Sequence, residues 1–303
     1  MAAPAPLSRY AAVGVLLCIG TLFASNHIAA RLTFDDGTGL LTAILWRSGL
    51  SLATLLGLVL WQQQSLRLPR SVARWQLALG LLVAVQSLCL YSAVARIPVA
   101  LALLIGNTFP ILLVLLTWAL GGRPPTRRAS ALMGMILIGL VFVLDLPAWV
   151  STHADLGVEW VIGVVCAFVA ACVFAVGLWI TEHRLAGLPG SVRSMYTIAV
   201  VFCTIVAAGA AGVIPGGMNL PSSATGWGAL LALGLLYTTA FSVLFVYVPR
   251  LDMVRNAPVM NIEPVASLLL GWAILDQIFN SWQLFGGTIV LGGIVVLAYS
   301  NKR

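Results

Sequence analysis

Ten stretches of about 20 predominantly apolar residues, separated by short loops, constrain this chain more than any other feature. They run from about Tyr10 to Ala30, Gly39 to Trp61, Gln76 to Ala95, Val99 to Leu120, and Ala129 to Pro147 in the first half. Val158 to Thr181, Ser194 to Ile214, Trp227 to Val248, Asn256 to Leu275 and Ser281 to Ser300 follow. Inside a bilayer every backbone polar group needs an internal partner, and a helix of this length supplies one while crossing the hydrocarbon. Composition agrees: 61% of residues are hydrophobic and 8% charged. A soluble domain carries about 25% charged residues, so the apolar excess must face lipid. The expected fold is an all-α integral membrane protein of ten transmembrane helices. No stretch is left over for a soluble domain or linker. The first run exceeds the roughly 7–15 residues of a signal-peptide core and is read as a retained helix.

The basic residues set the orientation. With ten spans both termini lie on one side, which receives Arg9, Arg67, Arg70, Arg74, the Arg123–Arg128 cluster, Arg184, Arg193, Arg250, Arg255, Lys302 and Arg303. The other side receives Arg31 and Arg96, and Arg47 lies within the second span. Both termini are therefore expected in the cytoplasm, with the chain multi-pass in the cell (inner or plasma) membrane. The net charge of +7 is explained by this topology, so no nucleic-acid partner is expected. The five cysteines, Cys18, Cys89, Cys166, Cys172 and Cys203, all fall in apolar runs without metal-ligand spacing. They are read as small packing residues, and neither metal nor cofactor is expected.

A shift of 154 residues lays the third and fourth spans on the eighth and ninth. "LALGLL" at Leu77–Leu82 meets the same hexamer at Leu231–Leu236, Arg96 meets Arg250, Asn107 meets Asn261, Pro110 meets Pro264 and Trp118 meets Trp272. Five spans per half is an odd number, so the halves, residues 1–150 and 151–303, must point in opposite directions. Such inverted five-helix repeats are a common construction of secondary transporters, with the substrate site where the halves meet.

The segments "LYSAVARIPVALALLIGNTFPILLVLLTWAL" and "NIEPVASLLLGWAILDQ", followed by "GGTIVLGGIVVLAY", resemble the drug/metabolite transporter superfamily in its EamA-type branch. "FASNHIAARL" in the first span and Arg47 in the second belong to the same resemblance. It covers essentially the whole chain. It implies ten helices, a central cavity between the halves, and export of amino acids or related small metabolites. Asp276-Gln277 stands where many members carry Gly-Glu, and no role is transferred to it.

Charges within a span are costly and default to function. Glu263, near the middle of the ninth span, is read either as a cavity group that binds an ammonium or carries a proton, or as a neutral carboxyl bonded to loosened backbone. Its counterpart in the first half is Phe109. Pro110 and Pro264 each remove a helix hydrogen bond, freeing the carbonyls of Gly106 and Met260. They are candidate breaks or hinges. Asn107 and Asn261, three residues earlier, can serve that backbone or touch substrate directly. Arg47 can hold a substrate carboxylate or pair with Glu263 or backbone carbonyls. Asn26 and His27 lie toward the outer end of the first span, and His27 can titrate near neutrality. Among the aromatics, Tyr91, Phe174 and Tyr237 are cavity candidates, whereas Trp118 and Trp272 suit an interfacial belt. Gly134 with Gly139, and Gly286–Gly293, are expected to let helices approach closely.

These residues predict a secondary exporter of small metabolites, foremost amino acids and particularly hydrophobic or aromatic ones, working by alternating access. Its partners would be the bilayer, a small-molecule substrate and a coupling proton. No phosphate-binding GxxxxGK[ST] stretch is present. An export route for drugs or lipophilic cations, with Glu263 as counter-ion, is the alternative. An intramembrane enzyme would need a constellation such as HExxH or GxSxG, and a channel would need polar rings or a filter. The sequence has neither, so no enzyme activity is expected.

Overall fold

The computed structural model describes residues 8–122, 124, 127–143, 157–214, 217–247 and 262–300. All regular structure among them is helical: α1 Arg9–Asp35, α2 Leu40–Trp61, α3 Arg70–Arg96, α4 Val99–Gly106, α5 Phe109–Ala119 and α6 Arg127–Val143 in the first half, then α7 Val158–Arg184, α8 Gly190–Ala210, α9 Ala224–Tyr247, α10 Ile262–Leu275 and α11 Ser281–Ser300. Seven segments are long and apolar enough to cross a membrane: α1, α2, α3, α4–α5 together, α7, α8 and α9. The other three expected spans correspond to α6, α10 and α11, with shorter apolar stretches at Ser130–Gly139 and Ile262–Leu275.

Hydropathy located the spans, but capping decides where the helices end. The expected first span stops at Ala30, yet α1 continues to Asp35. Its terminator is Gly37, at φ +88°, with Gly37 N–H on Phe34 O and Thr38 N–H on Thr33 O. Glycine takes this left-handed conformation without steric cost. The seventh span was expected at Ser194–Ile214, but α8 runs from Gly190 to Ala210. Pro189 starts it, and Gly212 (φ +67°) ends it with Val213 N–H on Ala208 O. That shift brings Arg193 into the helix.

The fourth span is not one helix. It breaks at Asn107–Thr108, because Pro110 has no N–H to return to the Gly106 carbonyl. The end of α4 closes on itself: the Asn107 backbone N–H and its side-chain Nδ2 both donate to Leu103 O at 2.8 Å, and Thr108 Oγ1 donates to Ile105 O at 2.7 Å. The Asn107 amide thus bonds backbone, as one reading of the sequence had it, but not at the Gly106 carbonyl that Pro110 frees. The carbonyl it serves is that of Leu103, one helical turn before the break.

The heaviest packing joins the two halves: α3 on α7 and α8, α1 on α9 and α10, α2 on α8 and α9, α4 and α5 on α7, α4 on α10, and α6 on α11. Exchanging the halves span for span carries α3–α7 onto α9–α1, α3–α8 onto α9–α2, and α7–α4/α5 onto α1–α10. The pairs α2–α8 and α6–α11 map onto themselves. Without a hydrophobic force between helices in lipid, such contacts depend on close van der Waals approach. At α6–α11 this uses Gly139, where a Cβ would lie 2.9 Å from Ile289 Cγ2 and 3.0 Å from Gly286 O, and Gly293, set against Ile136. Gly134, expected to share this role, faces open space. Gly139→Ala is therefore expected to lower the detergent-solubilised melting temperature, an overpacking cost of about 1–3 kcal/mol. Gly134→Ala should raise it slightly through helix propensity. Equal shifts in a thermal melt would refute this packing.

At the end of the bundle bearing the loops after α1, α3 and α8, the chain is closed. Ile28, Ala30, Ile44, Val94, Ile97, Val99, Val201, Ile205 and Leu233 form one buried layer there. Polar ties lie above it. Asp36 Oδ2 accepts from the Ser222 and Ser223 N–H groups at 2.8 and 3.1 Å, so it caps α9. Gly39 N–H and Thr42 Oγ1 both donate to Asn219 O at 2.9 Å. Arg31 Nη1 donates to Val94 O at 3.0 Å, and Arg96 Nε meets Glu159 Oε2 at 2.7 Å. Hydrogen bonds from Ser223 and Ser222 hold the Asp36 carboxyl below its ordinary value, against a smaller opposing desolvation. A lowered native pKa stabilises the fold above the unfolded value and loses that contribution as pH falls through the lowered one. The melting temperature of Asp36→Asn relative to the parent chain should accordingly show a deficit that is constant at neutral pH and vanishes only in acid.

Candidate functional site

A cavity of about 530 Å³ lies at the seam between the halves. It occupies the other half of the bundle's length, toward the loops bearing Pro69 and Pro189. Two helices supply its walls as regular stripes. On α3 these are Leu79, Val83, Gln86, Ser87, Leu90 and Tyr91; on α7 they are Ala170, Ala171, Phe174, Gly177, Leu178 and Thr181. Steps of three and four residues keep each set on one helix face. The α1, α2, α4, α5, α8, α9 and α10 helices complete it with Phe23, His27, Arg47, Asn107, Phe109, Arg193, Tyr237, Phe241 and Glu263 among others.

Most of the expected residues therefore meet here: His27, Arg47, Tyr91, Asn107, Phe174, Tyr237 and Glu263 all line the cavity. His27 Nε2 lies 3.3 Å from Glu263 Oε1, bridging α1 and α10 across the seam. Nothing in the sequence marked a partner for His27, and the fold gives it a carboxylate. Asn26 does not line the cavity. It is buried behind Tyr91, whose hydroxyl donates to Asn26 Oδ1 at 3.2 Å. Pro110 and Pro264 are helical, Pro264 in the first described turn of α10, where Ser267 Oγ donates to its carbonyl at 2.8 Å. Asn261 lies outside the described residues, as do Arg250 and Met260.

Arg47 departs from one expectation. It pairs neither with Glu263 nor with a backbone carbonyl among the described residues. The Tyr91 ring covers one contact of its guanidinium at 4.6 Å and the Tyr237 ring another at 4.1 Å. Its Nη2 donates to Ser87 Oγ at 2.9 Å, and its Nε is buried without a partner among the described residues. Aromatic edges continue the wall: Phe23 meets Tyr237 and Phe241, and Phe109 meets Phe174 at 4.8 Å.

Sequence reading missed Gln86, Ser87, Thr181, Arg193, Ser194 and Thr197. The α3 and α7 residues were detectable as polar positions in register with Tyr91 and Phe174. Arg193 was not, because hydropathy placed it in a loop. Gln76 anchors that end of α8, its Nε2 donating to Thr197 Oγ1 at 2.8 Å and to Arg193 O at 3.0 Å.

The profile of the EamA-like transporter family matches residues 11–145 and again 161–299. The chain is similar to the pseudopaline exporter CntI of Pseudomonas aeruginosa, with 22% identity over 296 residues, covering 95% of this chain and 97% of the relative. An uncharacterized transporter of Archaeoglobus fulgidus is 26% identical over 206 residues, 68% of this chain and 69% of that protein. A solved crystal structure shares the fold, with a TM-score of 0.64 and 21% identity, covering 98% of this chain and 100% of that one.

Proposed function

This chain belongs to the EamA-like transporter family of the drug/metabolite transporter superfamily, and from that premise we propose that it exports amino acids, foremost hydrophobic or aromatic ones, by proton-coupled alternating access. That it is a multi-pass membrane transporter follows from the family itself. The observation that carries the finer reading is a cavity at the seam of two halves, lined by Arg47, His27 and Glu263 and closed at one end by a buried layer. Six aromatic rings among the described lining residues, Phe23, Tyr91, Phe109, Phe174, Tyr237 and Phe241, suit an apolar side chain; the polar groups suit a zwitterionic backbone. In this reading ten spans form two inverted five-helix repeats, residues 1–150 and 151–303, in the inner membrane. The exchange of packing partners between halves supports the inversion. With both termini in the cytoplasm, the cavity lies at the cytoplasmic end, and the conformation is inward-facing.

The test is flux in liposomes reconstituted with the purified chain. A panel of radiolabelled amino acids, driven by a pH gradient, should include at least one with saturable transport that dissipating the gradient abolishes. Flux of a lipophilic cation with none for any amino acid would instead favour the drug-export alternative, which Glu263 in an aromatic cavity makes physically reasonable.

A further inference from the structure

We infer that Arg47, clasped by Tyr91 and Tyr237 and anchored on Ser87, is the docking point for a carboxylate carried by the transported molecule. The inference rests on the exporter reading above and names the chemical class that its cavity selects.

Arg47 is a buried charge that lacks its opposite among the described residues. Arg47 is 5% exposed. A guanidinium stays protonated at any physiological pH, and a buried charge without a counter-charge is expensive. No carboxylate among the described residues lies within ion-pairing distance of it. The one acid among the described lining residues, Glu263, is already engaged by His27, while Arg193 adds a second cation toward the cytoplasmic mouth. The cavity therefore holds an excess of positive charge, and it suits an anionic group better than a cationic one.

Geometry narrows the ligand further. Tyrosine rings 4.6 and 4.1 Å from the guanidinium carbon hold Arg47 by cation–π contact, and its N–H groups form the hydrogen-bonding edge that an anion would meet. One donor of that edge is spent on Ser87, and Nε has no acceptor among the described residues. A carboxylate meets such an edge with two oxygens. The Tyr91 hydroxyl donates to Asn26 Oδ1 at 3.2 Å, which holds the ring in place beside the guanidinium.

The test compares acids with their amides on the purified chain in detergent, read as ligand-induced thermal shift. The probes are phenylalanine, tryptophan, leucine, histidine and glutamate with their primary amides. Phenylpropionate, lactate and citrate serve as carboxylates lacking an amine, and tetraphenylphosphonium as a lipophilic cation. At least one acid should give a saturable shift, with its amide about tenfold weaker or worse, as expected when a buried donor loses its acceptor. Arg47→Gln should lose the shift and Arg47→Lys should retain part of it. The wild-type comparison of acid with amide needs no variant to fold, and Ser87→Ala offers a milder one. An amide or tetraphenylphosphonium binding as tightly as the acid, or Arg47→Gln keeping the parent midpoint, overturns the inference. So does the absence of any acid-selective shift. Amino-acid flux in liposomes without acid selectivity removes this inference alone, whereas loss of all gradient-driven flux removes the exporter reading.

Discussion

Glu263→Gln is expected to abolish transport driven by a pH gradient while leaving exchange of labelled for unlabelled substrate measurable. Glutamine matches glutamate in size and can still accept a hydrogen bond from His27, whose Nε2 lies 3.3 Å from the carboxylate. What it cannot do is gain and lose a proton. Coupling needs a group that changes charge while facing the cavity, and Glu263 is the one carboxylate among the described lining residues, opposed by His27 on α1, Arg47 on α2 and Arg193 on α8. In reconstituted liposomes, gradient-driven accumulation should fall to the level of empty vesicles. Retention of the parent pH dependence would show that the coupling proton binds elsewhere.

A disulfide between Asp36→Cys and Ser222→Cys is expected to stop net transport, and a reductant is expected to restore it. The two side chains are in direct contact, with Ser222 Oγ 3.3 Å from Asp36 Oδ1, and a disulfide there needs their Cβ atoms to settle about 3.5–4.5 Å apart. The bridge would join the loop after α1 to the start of α9 across the closed end. Alternating access requires that end to open. The single-cysteine variants serve as controls for the loss of the α9 cap. Undiminished flux in the oxidised double variant would mean that the closed end need not part. By contrast, Glu159→Gln should change little. Glu159 is 73% exposed, and exposed ion pairs contribute about 0–1 kcal/mol. The buried layer of Ile44, Val94, Ile97, Val201 and Leu233 holds this end shut, and the ion pair marks only its rim.

How much of this was legible in the sequence depended on whether the signal was local. Seven spans were readable because each apolar run declares itself without reference to any other. The break at Asn107–Thr108 was foreshadowed by Pro110, whose missing N–H is a property of one residue. Helix ends were read less well, because a hydropathy window reports where lipid begins. The chain instead turns where Gly37 and Gly212 permit a left-handed residue. Arg193 was lost because Pro189 starts α8 at Gly190, ahead of the apolar run that begins at Ser194. The close approach at Gly139 was anticipated correctly, but Gly134, similar in every local respect, points away from α11.

The pairings at the site lay beyond sequence reading. His27 and Glu263 are separated by most of the chain, and nothing near either one marks the other as its partner. Arg47 had a plausible acid in Glu263, yet the fold gives that acid to His27 and leaves the guanidinium between two tyrosines. From its residues alone, this protein was bound to be helical, to lie in a membrane and to keep few polar groups among apolar ones, since each follows from the cost of placing backbone and charge in hydrocarbon; the matching halves were legible separately, in residues that recur at one offset. Tertiary packing alone decided which of those polar groups share a cavity, which end of it is closed, and which charge meets no counter-charge among the described residues. Those outcomes depend on the rotation and depth of each helix against its neighbours, which many weak contacts set together.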